Sequence, residues 1–339
     1  MIDLFSMVFK YFNAWLLMGF ALVAAIVTEK LYLLLVSAVQ RKRMGGVRVP
    51  RRGLRAIFRL EIGLPPETAA VNIALYGPSL AIASLMTVCA SLPFCTFIPI
   101  IDNGSDLIQL VQFLLLSEVF ALISLYALGT GTGNEVARSE MRNMLRLLVP
   151  LVACYASLAS FFTKNGLDSD PFSLNSFSMT GHFASMSAWG ICGVLLLVFV
   201  ILSQIPHRSV TAGSALFIHG ESPEFEGAPR GMLQIWSVFR AFIVISIVTY
   251  ILFPADMIAT LSEGLGISWR GQALNFVIFW LAVVASRLVL VPACWLIVQA
   301  AESRIPKPFR GSLIPILTVA AMMLLWYEGI LLSQEAASF

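Results

Sequence analysis

Two charged residues stand inside runs of apolar side chains, Glu118 in LLLSEVFAL and Arg287 in VVASRLVL. A charge at the centre of a helix in hydrocarbon costs roughly 3 kcal/mol, so such a residue faces a partner, a water-filled cavity or a proton. Two readings stand side by side: a structural pair between Glu118 and Arg287, or a proton-handling element built on them. Glu29 and Lys30 pose the same question near the end of an earlier apolar run. Adjacent helix positions point in different directions, so each needs its own partner. Lys30 reads as an interfacial anchor, whereas Glu29 is equally an anchor or part of a polar path.

Other charges gather between the runs. Glu135, Arg138, Glu140 and Arg142 alternate in sign where an apolar stretch begins, which fits either a solvated helix end or the wall of a polar cavity. Glu221, Glu224 and Glu226, in HGESPEFEGAPRG, repel one another if partly buried and would then share a proton; exposed, they are a solvated loop. The stretch RRGLRAIFRLEI (51–62) has the pattern of an amphipathic helix with a basic face. Such a helix lies in the interface and grips anionic headgroups, or presents its basic edge to a peripheral protein.

Several chemistries are excluded. GTGTGN (129–134) follows no strand and is followed by no suitably placed lysine, so it is not a phosphate loop. His182, His207 and His219 are scattered, and the five cysteines show no C-x-x-C spacing, so no metal or iron–sulfur site is expected in this chain. Most of the cysteines fall within apolar runs and read as packing thiols. No nucleic-acid partner is expected.

What must position these residues is a set of membrane helices. Of 339 residues, 58% are hydrophobic and 12% charged, against about 45–50% and 25% in a soluble domain. The apolar residues come in runs of about twenty, the length that carries a helix across roughly 30 Å of hydrocarbon. Run length predicts helices over 11–39, 70–92, 107–128, 144–162, 185–203, 232–253, 274–301 and 313–332, with kinks at Pro78, Pro150 and Pro292. The expected fold is therefore all-α: a polytopic transmembrane helix bundle of about eight spans forming one domain over 1–339. It carries a basic amphipathic cytoplasmic loop at 40–62 and an acidic cytoplasmic loop at 206–231. The first run lacks a small-residue cleavage site and reads as a retained helix.

Basic residues set the orientation. They crowd the first connection (Arg41 to Arg59), the third (Arg138, Arg142, Arg146), the fifth (Arg208, Arg230, with Arg240 assigned to it) and the seventh (Arg304, Lys307, Arg310). The other side holds only Lys10, Lys164 and Arg270 beside several aspartates. By the positive-inside rule the odd connections are cytoplasmic and both termini lie outside.

Three segments carry a family resemblance: TEKLYLLL (28–35) with the basic QRKRMGGVRVPRRGLRAIFRL after it, ASLPF (90–94) with Asp106 and LISLYALGTGTGNEVARSEMRNMLRLLVP (122–150), and AESRIPKPFR (301–310). In these the chain resembles the subunit-1 family of respiratory complex I, the NADH-quinone oxidoreductase, and most closely the membrane subunit of group 4 [NiFe] hydrogenase and formate hydrogenlyase complexes. Val149 stands where the hydrogenase branch has a glutamate before the proline, and the family's tyrosine–serine–glycine turn after the acidic loop is missing.

The resemblance implies a membrane-anchoring, ion-coupling subunit of a redox complex in the bacterial cytoplasmic (inner) membrane, itself not catalytic. Arg48, Arg51, Arg52, Arg55, Arg138, Arg142, Arg304 and Arg310 would face peripheral iron–sulfur, hydrogenase-like subunits. Glu29, Glu118, Glu135, Glu140, Glu221, Glu224, Glu226 and Arg287 would supply the ion path. Iron–sulfur clusters are expected in the partners, antiporter-like subunits beside the chain in the lipid, and no cofactor within it; quinone binding is left open. Two other functions remain: a stand-alone secondary transporter with Glu118 and Arg287 at a midplane site, and an assembly subunit whose ion path has decayed.

Overall fold

The computed structural model describes residues 18–35, 62–63, 68–92, 107–130, parts of 133–156, 188–205, 226–252, 269–306 and 312–337. Its elements in chain order are α1 (Met18–Leu35), β1 (Ile62–Gly63), α2 (Val71–Ser91), α3 (Leu107–Tyr126), α4 (Ala188–Gln204), β2 (Glu226–Gly227), α5 (Ala228–Leu252), α6 (Trp269–Ala285), a π-helical turn (Ser286–Leu290), α7 (Val291–Arg304) and α8 (Leu313–Ala337). The described residues of 133–156 are mostly helical as well. Among the described residues, five stretches are long and apolar enough to cross a membrane, namely α1, α2, Ile108–Tyr126, Gly231–Leu252 and Phe276–Arg304; Ala188–Gln204 and Leu313–Glu328 are shorter apolar helices. Phe20, Leu80, Leu115, Ile123, Leu195, Leu281, Leu296 and Met323 are exposed, which suits lipid and not water. The chain is a helical membrane protein.

The residues divide into two compact units: Met1–Leu92 with Leu110–Met144 and Pro206–Val244, and Pro93–Gln109 with Leu145–Ile205 and Ile245–Phe339. In the first, α2 and α3 form an antiparallel hairpin with small residues on the facing sides. A Cβ on Gly77 would stand 2.7 Å from Ser124 Cβ and 3.1 Å from the Phe120 carbonyl oxygen. With side chains this short the backbones come close enough for Ser124 Oγ to donate to the Ala74 carbonyl (3.2 Å) and Ser117 Oγ to that of Ala81 (2.8 Å). Apolar burial drives no helix association in lipid, so such close approach and side-chain hydrogen bonds supply it. The helix α5 is almost wholly enclosed, with 89% of Gly231–Leu252 buried.

In the second unit α4 packs on α7 and, antiparallel, on α8, where Gly193 admits the Leu325 side chain. The helix from Trp269 to Arg304 changes its ladder at Ser286–Leu290, where the Val291 amide donates to the Ser286 carbonyl five residues back. Pro292 explains it: the ring has no N–H and collides with the carbonyl four residues earlier, and a wider turn just before it relieves the clash. The kink expected there is thus a π turn, while Pro78 sits inside an unbroken α2.

One pairing joins distant loops. β1 and β2 are antiparallel, with Ile62 opposite Gly227 and Gly63 opposite Glu226, so the end of the basic loop meets the end of the acidic one. Arg240 does not belong to a connection: it is the middle residue of α5 and is buried.

Candidate functional site

Glu118 lies near the middle of α3, on the stripe of Leu110, Leu114, Ser117, Ala121 and Leu125 that spacing of three and four turns inward. Arg240, which its sequence position counts with the preceding basic loop, is a partner of Glu118 in the structure. Arg240 Nε lies 2.9 Å from Glu118 Oε1, and Nη1 donates to Oε2 at 3.1 Å, with both side chains at most 5% exposed. Two parallel N–H···O contacts are the geometry that a planar guanidinium offers a carboxylate and that a lysine cannot.

The same face of α5 holds the arginine in place. Trp236, one turn before Arg240, lies under the guanidinium with its ring centroid 5.1 Å from Cζ. Its indole Nε1 donates to Ser117 Oγ (2.8 Å), and that hydroxyl donates to the Ala81 carbonyl. One polar relay therefore crosses α5, α3 and α2 and ends on a backbone carbonyl, so the tryptophan ring has a fixed height and the arginine a fixed register.

Glu29 and Lys30 part as their helix directions require: Glu29 is buried, with Thr28 and Tyr32, whereas Lys30 is exposed. Thr28 Oγ1 donates to the Ala24 carbonyl (2.7 Å). Glu135, Arg138 and Arg142 are exposed, as is Arg304, which suits the solvated reading of that charged stretch. Glu226 lies in β2. Glu140, Glu221, Glu224, Arg48, Arg51, Arg52, Arg55 and Arg310 lie outside the described residues, as does most of each long basic and acidic loop.

In the second unit Arg287 is fully buried in the π turn, beside Ser286, whose Oγ accepts from Thr249 Oγ1 at 3.3 Å. Glu328 of α8 is buried too.

Arg240 and Glu328 are absent from the candidates that the sequence suggests, although the signal that marks Glu118 marks them as well. Each is the single Asp, Glu, Lys or Arg in its apolar run, Arg240 within 231–252 and Glu328 within 313–332. Ser117 and Trp236 carry no such signal, since a serine and a tryptophan are ordinary in a membrane helix.

No protein-family model matches the chain, and a search of curated proteins finds no match.

Proposed function

We propose that the chain is a membrane-anchoring, ion-coupling subunit of a complex I-like or membrane-bound hydrogenase-like redox complex, seated in a bacterial cytoplasmic membrane. The observation that carries this reading is the bidentate Glu118–Arg240 pair in the middle of two membrane helices. Ionisable groups at such depth mark ion paths by default, because their burial is unfavourable without a use. The pair has two charge states: Glu118 ionised on Arg240, or Glu118 protonated with Arg240 turned to another acceptor. A displacement of α3 against α5 trades one for the other and so converts motion into proton uptake or release. The resemblance in 28–35, 90–94, 122–150 and 301–310 supplies the kind of complex in which such motion is driven by redox chemistry. In that complex the exposed Arg138, Arg142 and Arg304 face peripheral iron–sulfur subunits.

Parity supports eight crossings. Gly63 and Glu226 pair, so an even number of spans separates them. We count α2, α3 and α4 as three of these and take the apolar run 144–162 as the fourth. With α1 before this set and α5, the 269–304 helix and α8 after it, the proposed count is eight, with both termini outside. The basic residues of the first connection then make the strand-pair side cytoplasmic.

The test is purification of the tagged chain from its native membrane in mild detergent, with mass spectrometry of what accompanies it. Iron–sulfur and hydrogenase-like or antiporter-like proteins are expected, and in the intact complex Glu118→Gln should abolish coupled ion movement while assembly persists. A stable chain without partners would overturn the proposal. One observation favours a second reading: both Glu118 oxygens are satisfied by Arg240, as in a purely structural anchor. Ion movement that survives Glu118→Gln would select it.

A further inference from the structure

Arg240 meets two groups at once, and they use different parts of it. Glu118 takes the edge of the guanidinium, through Nε at 2.9 Å and Nη1 at 3.1 Å, whereas the Trp236 ring lies against its face, with Cζ 5.1 Å from the ring centroid. A planar cation can hold a carboxylate in its plane and an aromatic ring on its face without moving between them. Ser117, Glu118, Trp236 and Arg240 are all buried and belong to one compact unit, so water does not compete for either contact.

The two contacts differ in the helix that carries them. The carboxylate stands on α3, while the ring stands on α5, one turn before the arginine and on the same face. A displacement of α3 against α5, or a proton on Glu118, takes the carboxylate from Arg240, but the ring travels with the arginine. Ser117, the neighbour of Glu118 on α3, accepts the indole N–H at 2.8 Å and itself donates to the Ala81 carbonyl at 2.8 Å. The stretch of α3 that presents the carboxylate therefore also turns the ring to the guanidinium, before the carboxylate is lost.

We propose that Trp236 is a positioning residue whose ring keeps the Arg240 cation when Glu118 is protonated or drawn away. The carboxyl group then changes its proton without leaving a buried guanidinium with no attractive neighbour. The proposal rests on the ion-coupling reading and supplies the second acceptor that the two charge states of the pair require.

The experiment places 5-fluorotryptophan in the purified chain in detergent. Its seven tryptophans give fluorine resonances, and the one that Trp236→Phe deletes belongs to Trp236. Fluorine shifts respond to the field of a charge on the ring, so Arg240→Met, alone or with Glu118→Leu, should move this resonance. Glu118→Leu by itself should leave it within a small fraction of that displacement, because the arginine stays on the ring. A shift in Glu118→Leu as large as that in the arginine variants would overturn the proposal. If Glu118→Leu does not fold, Glu118→Gln supplies a neutral side chain with the same two outcomes.

A second measurement separates the ring from its N–H. Trp236→Phe and Trp236→Leu both lose the bond to Ser117, but only the leucine loses the aromatic face. In the intact complex Trp236→Leu should lower coupled ion movement roughly tenfold more than Trp236→Phe does. Equal losses would overturn the proposal, since the N–H alone would then account for both. The fluorine shifts need neither partners nor ion movement. If the arginine stays on the ring and no partner co-purifies, only the redox-complex reading fails; if partners co-purify and the arginine leaves the ring in Glu118→Leu, only the role of Trp236 fails.

Discussion

Arg240 and Glu118, 122 positions apart in sequence, meet nitrogen to oxygen twice, at 2.9 and 3.1 Å, each near the middle of its helix and each almost fully buried. Breaking such a pair leaves one charge without its counter-ion in a medium that solvates it poorly. Glu118→Leu or Arg240→Met alone should therefore lower stability by about 3–5 kcal/mol. The double substitution Glu118→Leu with Arg240→Met, which buries no charge, should recover most of that loss. Unfolding by sodium dodecyl sulfate titration of detergent-solubilised protein measures all three. Additive losses would show that the contact contributes nothing to the fold.

The indole–hydroxyl link predicts a different signature. Trp236→Phe keeps the ring under Arg240 but removes the donor, and Ser117→Ala removes the acceptor. Each should cost about 1 kcal/mol, the usual scale of an interhelical hydrogen bond in a membrane protein. Because both delete the same bond, the double variant should be only slightly less stable than the worse single one. The same titrations decide it.

At Gly77 the prediction is steric. A methyl group there meets Ser124 Cβ at 2.7 Å and the Phe120 carbonyl oxygen at 3.1 Å, and both belong to a neighbouring helix that cannot swing away as a side chain can. Gly77→Ala should destabilise by about 1–3 kcal/mol and Gly77→Leu by more. Ser124→Gly should restore part of the Gly77→Ala loss, but not all of it, because the bond from Ser124 Oγ to the Ala74 carbonyl goes with the side chain. Thermal melts followed by size-exclusion chromatography give the order.

Pairing of β1 with β2 makes topology testable. In a background with the five native cysteines replaced by alanine, Ile62→Cys with Gly227→Cys should form a disulfide under mild oxidation, since directly opposed residues have Cβ atoms about 5 Å apart. A band shift on a non-reducing gel reports it, and either cysteine alone should give none. On the eight-span topology a C-terminal alkaline phosphatase fusion should be active and a C-terminal green fluorescent protein fusion dark. The reverse pair of signals would remove a crossing.

Much of the fold is legible in the sequence because a span is a local property. A run of about twenty apolar residues crosses hydrocarbon as a helix whatever its neighbours are, so the apolar runs match α2 to within one residue at each end and α3 to within two. The lone charge in such a run is equally visible, as Glu118 and Arg287 show. Arg240 escapes because it counts with the basic loop before α5, and Glu328 because it stands near the end of its run, where a charge reads as the helix leaving the membrane.

Which charge meets which is beyond the sequence. Whether Glu118 meets Arg240 depends on how α3 and α5 are rotated about their axes. That rotation is set by small residues and by one serine–tryptophan bond, none of which stands out in a linear reading. The burial of Glu29 beside an exposed Lys30 is decided in the same way, by which side of α1 faces protein. Sequence alone determined that this chain is a helical membrane protein with ionisable groups in its spans, because transfer of side chains from water to lipid is additive along the chain. Tertiary structure decided how those groups are partnered, because pairing depends on contacts between segments far apart in sequence.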